Sequence, residues 1–256
     1  MLKGPDPVDW QGRALDCASC RFASLLAQRQ CGPGWACAFD RYAPRIARFF
    51  MMNPDTADQC LDAPYRETRA QAARVASVFR LRPLLDDPDP AVRAIAAIRL
   101  PAAQARAALG DPDREVRLAL AWRMPLTDLM PLLHDEDAFV RQIAARRVDP
   151  GVLPILIHDP DPEIREIVAT RIAPRWLDHL RHDREPQVRR AAAERIDPAA
   201  LPALAEDPDL RVRHAVAERA DAALARRLIN DPELPVREAA AERLARLTTE
   251  GAADVH

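Results

Sequence analysis

The chain has 256 residues, of which 48% are apolar but only 5% aromatic, and a formal net charge of −2. A balance this close to neutrality, without an isolated basic block, argues against a general polyanion-binding protein. The opening Met1-Leu2-Lys3-Gly4-Pro5-Asp6-Pro7 lacks the apolar run of a secretory signal and no later stretch approaches a membrane-spanning length, so a cytoplasmic protein without membrane contact is expected.

In chain order, the first feature is a cysteine-bearing head over residues 1–60, with Cys17, Cys20, Cys31, Cys37 and Cys60. In a cytoplasmic setting, thiols at short spacings are more often metal ligands or redox groups than disulfides. The first four read Cys-x2-Cys-x10-Cys-x5-Cys, which leaves Cys60 over. Two intervening residues let both sulfurs of a Cys-x2-Cys pair turn toward one centre. Between Cys31 and Cys37, Gly32-Pro33-Gly34-Trp35-Ala36 has the backbone freedom to close a loop on the same point. Trp35, Phe39 and Tyr42 are placed to shield such a site, and Arg21, Arg41 and Arg45 to offset its negative charge. Spacing does not choose the metal, because four thiolates suit structural zinc and iron–sulfur clusters about equally.

Behind the head, Asp87, Asp111, Asp135, Asp159, Asp183, Asp207 and Asp231 recur every 24 residues, each followed five, six and twelve places on by Val or Ile, Arg and Arg. A fixed period of this kind means stacked units, none of which covers its own apolar face alone. Asp87-Pro88 predicts a helix start, with a capping carboxylate and then a residue suited to the first turn; Pro101 marks the stop. Val92, Ile95, Ala96, Ala97 and Leu100 spread over an arc of roughly 200°, wide enough for contact on both flanks. The Ala97 position is Ala in every later unit, as a close crossing requires. The second halves, such as Asp149-Pro150-Gly151-Val152-Leu153-Pro154, predict one or two helical turns, 3-10 turns among them, and no sheet. The chain thus divides into a cysteine domain over 1–60, a solenoid of eight units over 61–247 that opens on a degenerate Ala63-Pro64, and a frayed tail over 248–256.

Two arginine columns, headed by Arg93 and Arg99, admit two readings. They could track phosphates, or they could tie each unit to its neighbour through the recurring Asp; the balanced charge favours the tie. His179, His182 and Asp183 form a possible ligand trio, read here as a loop cluster beside a charged cap. There is no phosphate-binding glycine loop, nucleophile elbow or HEXXH, and no catalytic residue is assigned, so an enzyme is not expected.

The pattern Asp-Pro-x-x-x-Val-Arg-x-x-x-Ala-x-Arg-Leu resembles the leucine-rich repeat variant family over Ala63 to Arg246, with kinship to HEAT-like repeats. The resemblance implies an all-α fold, a right-handed superhelical solenoid of alternating α- and 3-10 helices without strands. Some members carry an amino-terminal cysteine segment, and by that likeness Cys17, Cys20, Cys31 and Cys37 are expected to hold a [4Fe–4S] cluster, with zinc as the alternative; Cys60 has no counterpart. The expected role is electron transfer, or redox- or iron-responsive binding of another protein through the solenoid surface. The family's recurrence in nitrogen-fixing bacteria adds an accessory role there. The competing expectation is a nucleic-acid-binding helical repeat with a structural zinc head.

Overall fold

The computed structural model describes residues 4–253, with side chains as far as residue 249. It divides into two compact units, Met1–Leu132 and Leu133–His256. The first holds α1 (Ala23–Ala27), α2 (Ala43–Met52), α3 (Arg66–Ala73), α4 (Pro90–Arg99), α5 (Ala102–Ala105) and α6 (Arg114–Arg123). Between them run 3-10 turns at Pro54–Cys60, Val78–Arg80, Arg82–Asp86, Arg106–Ala108 and Leu126–Asp128. The second holds α7 (Ala138–Arg147), α8 (Pro162–Arg171), α9 (Pro186–Ala193), α10 (Leu210–Arg219), α11 (Ala222–Leu228) and α12 (Leu234–Ala253), with 3-10 turns at Leu153–Leu156, Pro174–His179 and Pro198–Leu204. Among the described residues there is no strand, only isolated bridges at Val8–Ala14 and Gly32–Ala36.

Helix starts differ from expectation by two residues, and the reason lies in a division of labour between neighbouring acids. The caps are Asp89, Asp113, Asp137, Asp161 and Asp209, whose carboxylates accept from the N–H groups of Ala91, Glu115, Phe139, Glu163 and Arg211. Asp87, expected as the cap, instead receives Arg69 through both oxygens, at 2.7 and 2.8 Å. The same contact recurs between Arg93 and Asp111, Arg141 and Asp159, Arg165 and Asp183, Arg189 and Asp207, and Arg213 and Asp231. One oxygen of each acid also accepts the N–H two residues on, as Asp111 does from Asp113 at 2.9 Å, which shapes the turn leading into the cap. The remaining Nη1 of each arginine reaches back to its own turn, as Arg93 does to the carbonyl of Asp87 at 2.9 Å.

The second arginine column closes helix ends. Arg99 donates to the carbonyls of Ala73 and Ala76, Arg195 to Ala169, Arg219 to Ala193 and Arg243 to Ala220. These carbonyls lie at or just past the last turn of the preceding helix, where no intrahelical donor remains. Both columns therefore tie unit to unit, and a three-turn helix that would be marginal alone is held from either side. The alanine column behaves accordingly: Ala73, Ala97, Ala145, Ala169, Ala193 and Ala217 are fully buried, whereas Ala241, with no described unit beyond it, is exposed.

Second halves split by their proline content. Pro83, Pro154 and Pro202 sit inside or at the start of 3-10 turns, since a residue without an N–H cannot continue an i→i−4 ladder. Ala102–Ala105 and Ala222–Leu228, alanine-rich and without proline, form α-helix instead. The stretch expected to fray is helical as far as Ala253, with the Thr248 and Thr249 hydroxyls returned to the carbonyls of Leu244 and Ala245; residues 254–256 of that tail lie outside the described residues.

Asp159→Ala is expected to cost about 3–5 kcal/mol in denaturant unfolding, because it strands a buried guanidinium, while the joint change Arg141→Met with Asp159→Leu costs less. A double variant weaker than the single one would count against this account. Asp111 is held below the ordinary carboxylate range although burial pushes it up, because Arg93 and the Asp113 N–H outweigh burial. Asp183 is lowered likewise, and Asp231 chiefly by its bond from Arg213. Stability from these depressed acids is fully present above the unfolded carboxylate value near about pH 4 and is lost as pH falls through the folded values. Melting followed by circular dichroism should therefore hold from about pH 8 to 5 and drop below about pH 4.

Candidate metal centre

The cysteine segment is built from short turns, each closed by a named polar group. Residues 8–14 form a tight turn in which Asp9 accepts from the N–H groups of Gln11 and Arg13 and from the Arg13 side chain. Gly12, at φ 84°, supplies the left-handed step that this turn needs. Asp16 then closes the Cys17–Cys20 loop, accepting from the N–H groups of Ala18 and Ser19 and from the Ser19 hydroxyl at 2.6 Å. The second loop closes by paired bonds between Gly32 and Ala36, with Gly34 at φ 80°. Trp35 folds back over Gly32 so closely that a Cβ there would lie 2.4 Å from the indole nitrogen.

These turns bring Cys17, Cys20, Cys31 and Cys37 onto the wall of one small cavity, with Phe22, Leu26, Phe39 and Phe49 among its apolar lining. An open cleft on the outer side is bordered by Cys17, Cys20 and Cys37 together with Asp16, Ser19 and Arg21. All five cysteines are free thiols. Among the described residues, no group of three or more His, Cys, Asp or Glu side chains is arranged to hold a single metal ion.

Burial lifts the Cys37 thiol to about 12, with neighbouring Asp40, Cys20 and Cys17 pushing the same way against a bond from the Phe39 N–H. Cys17 is raised by burial, then by Cys20 and Asp16; Cys31 by burial, then by Cys20 and Cys17. Cys17 and Cys20 thus oppose ionisation of the neighbouring thiols, and a cationic centre among them removes that opposition. The donor set fits iron: four soft sulfurs, apolar walls, and N–H groups aimed at sulfur from Phe39 and from Phe22, the latter 3.4 Å from Cys20 Sγ.

Several expected residues take other parts. Phe39 lines the cavity and stacks on Phe22 at 5.9 Å. Trp35 and Tyr42 do not line it; they lie against Arg48 and Arg45. Arg21 does border the open cleft beside Cys17, Cys20 and Cys37 while its guanidinium reaches the Gln59 carbonyl, and Arg41 is exposed. Arg45 is buried in an ion pair with buried Asp40 at 3.1 Å, and its Nε has no partner. It stands one period before Arg69, and the acid that its Nε would meet falls at Ala63. Helix α2 followed by Pro54–Cys60 is thus a further α/3-10 unit at the end of the head, and Cys60 occupies the position filled by buried Leu84 and Leu132 in later units. Cys60 is not part of the cavity wall; burial raises its thiol to about 11. Residues the sequence reading missed are Phe22, Phe49, Asp16, Asp40 and Asn53; the last donates to the carbonyls of Gln30 and Phe49 and so anchors the loop before Cys31.

A solved structure described as a leucine-rich repeat variant with a novel repetitive protein structural motif is 41% identical to this chain, with a TM-score of 0.81, and the match covers 90% of this chain and 99% of that one. The chain belongs to the leucine-rich repeat variant family. The family described as LRV protein FeS4 cluster matches residues 7–59, a span that contains the four cavity cysteines and ends before Cys60. This leucine-rich repeat variant protein therefore has an iron–sulfur head. An uncharacterized 27.7 kDa protein in the nifB 3' region of Rhodobacter capsulatus is 60% identical over 91 residues, which is 36% of this chain and 37% of that protein. In the leucine-rich repeat variant described here, no helix among the described residues is long and apolar enough to cross a membrane.

Because the thiols are raised, protons must leave as iron enters, so anaerobic reconstitution of the cluster-free protein should speed up between about pH 7 and 9, followed by visible absorbance. A flat profile over that range would contradict the raised, protonated state of Cys17, Cys31 and Cys37. Asp16→Ala should slow the same loading while far-ultraviolet circular dichroism stays unchanged.

Proposed function

We propose that Cys17, Cys20, Cys31 and Cys37 hold a [4Fe–4S] cluster that passes single electrons or reports redox state and iron supply, and that the repeat array binds a protein partner. The observation that carries this reading is the gathering of four thiols on one apolar-walled cavity within the iron–sulfur segment. When bound, such a cluster supplies one-electron chemistry at a potential set by its surroundings. The chain's own part is to exclude water with Phe22, Phe39 and Phe49 and to aim N–H groups at sulfur. Access from outside runs through the cleft beside Asp16, Ser19 and Arg21.

A protein partner is favoured over nucleic acid because the arginine columns spend their donors on acids and carbonyls of neighbouring units. The array also leaves Phe79 91% and Trp122 62% exposed, side chains suited to a protein contact. The nifB-region relative supports a role accessory to nitrogen fixation, as a source of electrons or of iron–sulfur capacity.

Protein purified without air should contain about four irons and four sulfides per chain and bleach on reduction. Serine in place of any of the four cavity cysteines should lower both, and Cys60→Ser should leave them intact. Stoichiometric zinc without iron, or full iron content in Cys31→Ser, would overturn the ligand set.

A further inference from the structure

A tandem repeat carries its own control, since residues 24 positions apart show what the fold asks of each site. Around Asp183 three positions depart from that pattern together. Arg184 stands where five other units have Pro88, Pro112, Pro160, Pro208 and Pro232 and one has Glu136. Arg181 stands where the others have Leu85, Leu109, Leu133, Ile157, Ala205 and Ile229, and His179 where five have Pro, Ala or Ile. The fold needs none of the three, yet His179 and Arg184 meet His158 and His182 around one open cleft, and Arg181 lies against its rim, donating to His182 Nε2 at 3.0 Å.

The charges in this cleft select the ligand. Asp159 and Asp183 line it, but each receives a guanidinium on both oxygens, from Arg141 and Arg165. Asp178 is paired with Arg181 at 3.0 Å, and Glu185 stands 4.0 Å from Arg184. With the acids so occupied, the groups left to meet a ligand are nitrogens: the imidazoles of His158 and His179, the Nδ1 of His182, whose Nε2 already accepts from Arg181, and the guanidinium of Arg184, one arm of which bonds the Pro160 carbonyl at 3.1 Å. A cation is disfavoured by the two adjacent arginines, Arg181 and Arg184. A tetrahedral oxyanion, which accepts hydrogen bonds on all its oxygens, matches this donor set.

We propose that the cleft formed by His158, His179, His182 and Arg184 is a phosphate-binding site, separate from the iron–sulfur head. The ligand is inorganic phosphate or the phosphate of a larger molecule, and the two share the same recognition.

The repeat itself supplies the test variants. Arg184→Pro and His179→Ala restore residues that other units carry, so both are expected to leave melting unchanged. Titrated into the full-length protein and followed by calorimetry and by the histidine ring signals in nuclear magnetic resonance, inorganic phosphate should bind with a Kd of about 1 mM or tighter. Each variant should weaken binding by about tenfold. Adenosine triphosphate in a parallel arm distinguishes the sources: tighter binding than inorganic phosphate points to an attached phosphate, equal binding to the free ion. The proposal is overturned when neither probe shifts the histidine signals, when the two variants bind as the parent does, or when zinc chloride saturates the same histidines and phosphate does not.

Discussion

One contact organises the molecule: an arginine held in both oxygens of an aspartate eighteen residues later, with its third nitrogen returned to the carbonyls of its own turn. A guanidinium offers five donors in a fixed plane, so satisfying them from two successive units sets both the spacing and the tilt between those units. The same carboxylate bonds the N–H two residues on, and that bond delivers the next aspartate to its helix-capping position. Removing one acid therefore disturbs a tie, a turn and a helix start at once. The Arg93 column is consumed by the recurring aspartates and the Arg99 column by helix-end carbonyls rather than displayed.

The iron–sulfur head is joined to this system where the pattern is incomplete. Arg45 occupies a tie position, but its counterpart is Ala63, and the arginine turns instead to Asp40 and to the carbonyl of Pro5. Asp40 in turn accepts the Tyr42 N–H and stands next to the Phe39 that walls the cavity. Contact with the first repeat comes from Thr68, whose hydroxyl donates to the Ala38 carbonyl, and from Tyr65, which donates to Arg41 and stacks on Trp10. The same arginine position that serves tandem stacking elsewhere thus positions the Cys37 loop here.

Much of this was legible in the chain, for definite reasons. The period, the small-residue column and the four cysteines are local patterns whose spacing carries their meaning. The exchange of roles between Asp87 and Asp89 was not legible from composition, because both are good caps; only the eighteen-residue distance to the preceding arginine separates them. The α-helical second halves follow from missing prolines, a signal present in Ala102–Ala105 and Ala222–Leu228 but outweighed by the average repeat. The cavity walls were harder still. Phe22 lies in an irregular segment with no periodicity to betray its direction, and Phe49 belongs to a helix whose unit has lost the aspartate by which the others are recognised.

The paired columns also bear on how such a chain can change length. Because every tie spans eighteen residues within a period of twenty-four, gain or loss of one whole period leaves each arginine facing an aspartate, whereas any other insertion inside a tie separates partners that are both shielded from water. The array therefore tolerates changes of length only in integral steps of one period, each of which restores the pairing on both sides of the added or lost segment.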